Sequence, residues 1–474
     1  MRGRREFLQG MAGAGMLAGM GWFKSAGAAM APGARLKMGV LSDVHLQEPG
    51  DEDTLLKAFA YFRDHGADAV LIAGDIANTG KVEQLKRCAD AWYKVFPNDA
   101  APDGRHVEKL FIYGNHDIWG GWWGNNNKFR EDSIWYQDRY AKVWEETFHE
   151  PYSDFWIKNV KGIPVVGGHW NKTDQFDGLA DFLKQHAKEI DPSLPLIYTQ
   201  HSHPLNTCMG PWAWGRDNGA STKALSAYPN AVAFSGHSHY TLVDERSVWQ
   251  GAFTSINTAS LRYASNDYSL RENIGWNGHG YLGEKKVRKH RMAEYGSKDT
   301  TDGRQGMLVS VWDDHLAIER RDFAQDASLG PDWVVPLPAS ESAPFAFKVH
   351  RQRRTAPEFA KGAKAEVKVE PPKDEKDFTH VNVTFPAAQP VDGCRVNEYE
   401  VTAVLVEDDV ELVQAQRRMM SPDFYKPATK LVKDVTFVFA AEDLPLKGHY
   451  RFEVRPLECL GKKGTAIASD VVEI

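Results

Sequence analysis

Five times along this chain a short apolar run ends directly in residues of the metal-binding type, and the order of these units constrains the fold more than any other feature. Leu36–Leu41 runs into Ser42-Asp43-Val44-His45, Ala69–Ala73 into Gly74-Asp75, and Leu110–Tyr113 into Gly114-Asn115-His116-Asp117. Further on, Pro195–Gln200 meets His201-Ser202-His203, and Ala231–Ser235 meets Gly236-His237-Ser238-His239. Short continuous apolar runs read as strands buried on both faces. Between the first three lie stretches with apolar residues at helical spacing. One is Thr54–His65, with Leu55, Leu56, Phe59 and Phe62 as its stripe and Asp53 as expected N-cap; the other is Val82–Val95, with Leu85, Cys88, Ala89 and Trp92. Strand, helix, strand, helix, strand is the rhythm of a parallel sheet with right-handed crossovers. Ligands of such sheets lie outside the carboxyl ends of the strands.

A single Asp-x-His or His-x-His after a strand is an ordinary turn. On an extended segment, however, residues two apart point the same way, so Asp43 with His45 and His237 with His239 could each present two ligand atoms to one ion. Five such blocks in order exceed what chance turns provide. The donors are oxygen and nitrogen, with no thiolate, which suits Fe, Mn or Zn.

The blocks Asp43-Val44-His45, Gly74-Asp75, Gly114-Asn115-His116-Asp117, His201 and Gly236-His237-Ser238-His239 resemble the five signature blocks of the calcineurin-like metallophosphoesterases, and the resemblance spans roughly residues 37–322. It implies an α/β (α+β) fold, a two-sheet β-sandwich flanked by helices. It also implies two metal ions: Asp43, His45 and His239 would hold the first, Asn115, His201 and His237 the second, and Asp75 would bridge them. A metal-bridging hydroxide would attack phosphorus. His116 would act as the acid for the leaving group, with Asp117 orienting its ring. The second block often reads Gly-Asp-x-x-Asp, and here the last position is Asn78; a changed local hydrogen bond is expected, not a lost metal. His203, two residues past His201, either replaces it as ligand or contacts substrate.

Two Trp- and Gly-rich segments, Trp119–Asn127 and Met209–Arg216, follow the third and fourth blocks and read as loops at the metal edge. Trp122, Trp123, Trp212 and Trp214 would either stack a base or sugar or pack the loops together, and Arg216 would clamp a phosphate. His169 and His279 have no assigned role.

The first 31 residues stand apart. Arg4-Arg5-Glu6-Phe7-Leu8, a short Gly-rich apolar stretch and Ala26-Gly27-Ala28 resemble a twin-arginine export signal cleaved near Ala28. The apolar stretch is too short for a confident membrane span. A periplasmic or otherwise exported protein is expected, handled by the twin-arginine export machinery, with no transmembrane span once matured. A net charge of −7 argues against a nucleic-acid-binding face. The four cysteines, Cys88, Cys208, Cys394 and Cys459, are expected as thiols, although an oxidising compartment permits a Cys394–Cys459 bond.

The phosphoesterase domain is expected over residues 35–325, ending in a hairpin from Gly306 to Arg320. A Pro-containing linker over 326–344 and an all-β sandwich over 345–474 follow, the latter with strands at 345–350, 365–369, 380–385, 398–406, 435–439, 449–455 and 466–472. Tyr399-Glu400-Val401 and Tyr450–Val454 resemble strands of fibronectin type III domains. The expected function is two-metal hydrolysis of a phosphomonoester or phosphodiester, on a phosphorylated small-molecule or envelope substrate. The alternative is a metal-containing, non-catalytic binding protein of the cell envelope.

Overall fold

The computed structural model describes residues 33–170, 176–209, 215–265, 300, 302–374, 377–408, 410–441, 444 and 446–474. The expected export signal, Trp212, Trp214 and His279 lie outside these residues.

The first domain runs β1 (Leu36–Leu41), α1 (Glu52–Asp64), β2 (Ala69–Ile72), α2 (Val82–Val95), β3 (Glu108–Phe111), α3 (Asn115–Trp123), α4 (Tyr140–Phe148), β4 (Phe155–Val160), β5 (Ile163–Gly168), α5 (Leu179–Gln185), β6 (Leu196–Thr199), α6 (Ala220–Leu225), β7 (Ala231–Ser235), β8 (Val248–Gln250), β9 (Thr254–Asn257), β10 (Gln305–Val311), β11 (His315–Asp322), β12 (Ala327–Ser328) and β13 (Trp333–Pro336). One sheet has the order β12-β11-β10-β1-β2-β3, with β13 also beside β11; the other is β4-β5-β6-β7-β9-β8. Parallel pairing joins β1, β2 and β3 in the first, and β5, β6, β7 and β9 in the second.

The parallel strands β2, β5, β6 and β7 are buried on both faces, which is why they read as unbroken apolar runs, whereas β4 and β11 are half-exposed. Leu36, Met38, Val40 and Leu71 meet Ile197, Val232 and Phe234 of the opposite sheet in a shared core. Val70 and Ile72 turn outward onto Leu55, Phe59, Leu85 and Trp92 of α1 and α2. Leu196 and Tyr198 turn outward onto Leu179, Leu183 and Leu225 of α5 and α6. Among the described residues, no helix is long and apolar enough to cross a membrane.

Several expectations are corrected. The N-cap of α1 is Asp51, not Asp53, and the Asp51 carboxylate accepts from the Gln47 and Glu48 amides. β3 begins at Glu108 because Lys109, though charged, is buried against Asp99 at 2.5 Å, so a hydropathy pattern misses its first half. Residues 326–344 are not merely a linker: β12 and β13 extend the first sheet across β11. The strand expected over 345–350 is replaced by helix α7 (Phe347–Arg353). Its alternating Phe345, Phe347 and Val349 mimic a strand, but the helix and the extended residue after it bring His350 and Arg354 to Glu245 of the first domain.

The C-terminal domain is all-β after α7: β14 (Glu366–Glu370), β15 (His380–Pro386), β16 (Glu398–Glu407), β17 (Val410–Met420), β18 (Asp434–Ala440), β19 (His449–Leu457), β20 (Ile467–Ala468) and β21 (Val472–Glu473). An antiparallel sheet β14-β15-β18 faces a second one, β17-β16-β19-β20 with β21 beside β19, across a core of Val381, Val383, Phe385, Val401, Phe437, Phe439 and Phe452. β17 escaped the sequence reading because it is an edge strand in which apolar and polar residues mix without a buried stripe: Val410, Leu412 and Val413 are exposed, and Arg418 is tucked against Glu400. The two domains meet where Gln305 donates to the Tyr425 carbonyl at 2.8 Å and the Tyr425 hydroxyl donates to Asp302 at 2.8 Å. All four cysteines are buried thiols.

Candidate metal centre

The five ligand-type blocks do converge at one edge of the two sheets, but not on extended backbone. Asp43 (φ 50°), His45 (φ 47°), Asp75 (φ 54°), His237 (φ 70°) and His239 (φ 57°) all take the left-handed conformation. That region costs a non-glycine residue about 1 kcal/mol or more, so the strain is held by the surrounding hydrogen bonds. Asp43 and His45 donate their amides to the Gly74 and Asp75 carbonyls, each at 3.0 Å, and Gly236 donates to the His201 carbonyl at 2.9 Å. Gly236 has no room for a side chain: a methyl there would collide with the Ser42 hydroxyl and the Asp43 carboxylate.

Each carboxylate has one oxygen satisfied and one bare. Asp43 Oδ2 accepts from the Ser42 hydroxyl at 2.6 Å and the His237 amide at 2.9 Å, and Asp75 Oδ1 accepts from the His116 amide at 2.8 Å. Asp43 Oδ1, Asp75 Oδ2, Asn115 Oδ1 and His201 Nε2 are buried without a hydrogen-bond partner. Buried polar atoms are rarely left so. Around them the side chains crowd: His239 Nε2 lies 2.9 Å from Asp43 Oδ1, His45 Nε2 lies 3.1 Å from His239 Nε2, and His201 Nε2 lies 3.1 Å from Asp75 Oδ2. The Nδ1 atom of His201 faces the Ala73 carbonyl at 2.6 Å, and that of His45 faces the Asn78 side-chain oxygen at 3.0 Å. Protons on those two Nδ1 atoms leave the inward Nε2 lone pairs bare. Lone pairs converging at such distances repel unless a positive charge lies among them.

The groups Asp43–His45–His239 and Asp75–His201–His237 each bring their ligand atoms within 4.8 Å of one another, and His45, Asp75 and His116 form a third such group between them. The donor chemistry and the orphaned atoms fit two metal ions. The same crowding shifts how these groups titrate. Burial alone would raise the Asp43 carboxyl, but His239 and His201 outweigh it and hold it well below the usual carboxylate range. Burial disfavours a charged His201, yet Asp75 and Asp43 push it up to about 9. In His237 burial wins, seconded by His201, and its pKa falls well below normal.

Asn115, His116 and Asp117 form the first turn of α3. His116 Nδ1 faces the Asn78 carbonyl at 2.8 Å, so it is Asn78, not Asp117, that orients the ring. The expected role of Asp117 is corrected: its carboxylate accepts from the Gly114, Ile76 and Ala77 amides at 2.8, 3.2 and 2.6 Å, which ties the second block to the third. Burial and the nearby Asp75 push its carboxyl up to about 7.

His203 is also corrected. It is fully buried, with Nδ1 2.8 Å from the Ser235 hydroxyl and Nε2 2.7 Å from the Ser238 hydroxyl. Both ring nitrogens are taken and burial lowers its pKa to about 3, so it braces Ser238 between His237 and His239 and meets neither substrate nor metal. Trp122 and Trp123 lie on α3, not on a loop, and they part company. Trp122 packs against Trp119 and Phe129, whereas Trp123 is 53% exposed with its ring 5.4 Å from that of His116. Arg216 is exposed, at a backbone bridge with His203. His169 is buried, taking the Tyr113 amide on Nδ1 at 3.0 Å, and belongs to none of the three ligand groups.

Two aromatic neighbours were missed. Trp170 places its ring 5.7 Å from His201 and 5.5 Å from His237, and Tyr263 lies 4.4 Å from His239. Both follow strands, β5 and β9, at the same edge, so the strand-end rule could have found them had it not been limited to metal-type residues.

Residues 36–241 match the calcineurin-like phosphoesterase family. No curated protein matches the chain. Among solved structures, a dimetal phosphatase from Danio rerio is 10% identical with a TM-score of 0.35, covering 64% of this chain and 99% of its own. Purple acid phosphatase PPD1 from yellow lupin (Lupinus luteus) is 12% identical with a TM-score of 0.37, covering 64% and 53%. GAP50 of Plasmodium, described as the anchor in the inner membrane complex, has the same identity of 12% and TM-score of 0.37, covering 64% and 89%. With its family match and its two groups of converging ligands, the segment 36–241 is a calcineurin-like phosphoesterase domain.

Proposed function

We propose that the chain hydrolyses phosphomonoesters or phosphodiesters outside the cytoplasm, with Asp43, His45 and His239 holding one metal ion, Asn115, His201 and His237 a second, and Asp75 shared between them. Bound cations of this kind acidify the attacking water and grip the phosphoryl oxygens. His116 supplies the proton to the leaving oxygen. Its Nδ1–H is committed to the Asn78 carbonyl, which leaves Nε2 as the working atom. Asp117 keeps the blocks in register and takes no part in proton transfer.

The observation that carries this reading is the set of bare, buried ligand atoms with His116 directly beside them. A purely structural metal site has no use for a histidine so placed. The test is hydrolysis of aryl phosphate mono- and diesters by protein loaded with Mn, Zn or Fe. Turnover of either supports the proposal. Two metals bound per chain with turnover of neither favours the non-catalytic binding protein of the cell envelope.

The twin-arginine signal is read as the export route, with folding, and so metal choice, completed in the cytoplasm. Changing Arg4 and Arg5 together to Lys is expected to leave the protein in the cytoplasm; undiminished export would refute the route. The C-terminal β-sandwich is read as a fibronectin type III-like accessory domain that binds or spaces, since no catalytic cluster is found among its described residues.

A further inference from the structure

Trp123 is an anomaly in an otherwise well-covered helix. Among the described residues, just two large aromatic side chains stand out into solvent, Phe347 at 39% and Trp123 at 53% exposure. Its neighbour Trp122 is absorbed by Trp119 and Phe129, so α3 had an inward alternative and did not use it for Trp123. The exposed indole stands 5.4 Å from the His116 ring at an interplanar angle of 74°, and His116 in turn stands 4.6 Å from His45. The half-buried Tyr263 has its ring 6.4 Å from that of His45 and 4.4 Å from that of His239. The acid thus has the exposed Trp123 as an aromatic neighbour, and the ligand next to it has Tyr263.

The indole thus stands beside the ring that would protonate the leaving group. We propose that Trp123 selects esters whose leaving group carries a planar, unsaturated ring, an aryl or nucleobase-bearing alcohol, by stacking that ring as the ester seats. This rests on the hydrolase reading above and on His116 as its acid. Aromatic faces favour offset or edge contacts with such rings and gain little specificity from flexible alkyl chains.

The test compares kcat/KM for phenyl phosphate, a nucleoside 5′-monophosphate and n-butyl phosphate in the metal-loaded full chain, wild type against Trp123→Ala and Trp123→Phe. Referring each variant to wild type on the same substrate cancels the intrinsic reactivity of the leaving groups. Trp123→Ala is expected to lower the aryl-to-alkyl ratio, the nucleotide-to-alkyl ratio or both by about tenfold, with Trp123→Phe restoring most of it. Loss confined to phenyl phosphate places the ring next to the leaving oxygen; loss with the nucleotide places a base there. Unchanged ratios in an active Trp123→Ala protein overturn the inference alone. A wild-type protein that turns over none of the three but hydrolyses aryl phosphodiesters overturns this inference and leaves the hydrolase reading standing; one that hydrolyses neither class overturns both.

Discussion

The side-chain oxygen of Asn78 lies 3.0 Å from Nδ1 of His45. Metal-binding histidines are commonly backed by a carboxylate, which fixes the tautomer and raises the basicity of the inward nitrogen. Here a neutral amide fixes the tautomer and withholds the charge. Asn78→Asp is therefore expected to tighten the ion held by Asp43, His45 and His239 by about tenfold, and Asn78→Ala to weaken it by a similar factor. Chelator competition on the purified protein measures both. Equal affinity in all three proteins would mean that Asn78 has no hold on His45.

His116 stands close enough to His45 and Asp75 to be mistaken for a ligand. If it is the acid instead, His116→Ala retains two metals per chain while kcat falls by about 10²–10⁴-fold. Metal analysis beside single-turnover kinetics separates the two roles; loss of an ion would make His116 a ligand. Asp117→Asn provides the contrast. It deprives three backbone amides of a carboxylate, so a lower Tm is expected, by about 1–3 kcal/mol of stability, with the pH profile of the remaining activity unmoved.

The ligands were legible because each lies within a few residues of the end of a short, largely apolar strand that local pattern suffices to recognise. Their geometry was not legible: the two-residue spacing of Asp43 and His45 reads as extended backbone, and the left-handed turns that actually aim them depend on hydrogen bonds to Gly74 and Asp75, some thirty positions away. The partners of the site residues were hidden for the same reason. His203 looks like its neighbour His201 until Ser235 and Ser238 are seen on either side of it. In the fold, the losses fall where charge is buried in a strand, at Lys109, or where the segment is tied to a distant residue, at α7 and the Arg354 that follows it. Both are long-range choices that override local pattern.

Gly236 permits the approach of the fifth block to the first. A methyl at this position meets the Ser42 hydroxyl and the Asp43 carboxylate, and the neighbouring His237 amide is itself bonded to Asp43. Gly236→Ala is expected to displace Asp43 and to cost the ion it helps to hold, leaving the group built on His201 and His237 less disturbed. Metal stoichiometry falling from two toward one, with the far-ultraviolet circular dichroism intact, is the predicted signature. Full occupancy by two ions would show that Asp43 tolerates the shift.

At the junction of the domains, Glu245 accepts from His350 at 3.1 Å and pairs with Arg354, which also reaches Glu458 at 3.3 Å. Burial alone would raise the Glu245 carboxyl, but His350 and Arg354 outweigh it and hold its pKa at about 2, below the usual 4.5. In the unfolded chain the same group titrates near its ordinary value, so between those two pH values the unfolded state binds a proton that the folded state does not. The stability contributed by this carboxylate is therefore complete above about pH 4.5 and is lost as the pH falls toward 2; a depression of this size corresponds to something on the order of 3 kcal/mol. Glu245→Gln removes the titration. Denaturant midpoints measured from pH 6 down to 3 should fall more steeply for wild type than for Glu245→Gln, and the two curves should draw together at the acid end. Parallel curves would mean that Glu245 gains nothing from Arg354, and that the domains are joined by Tyr425 and its neighbours instead.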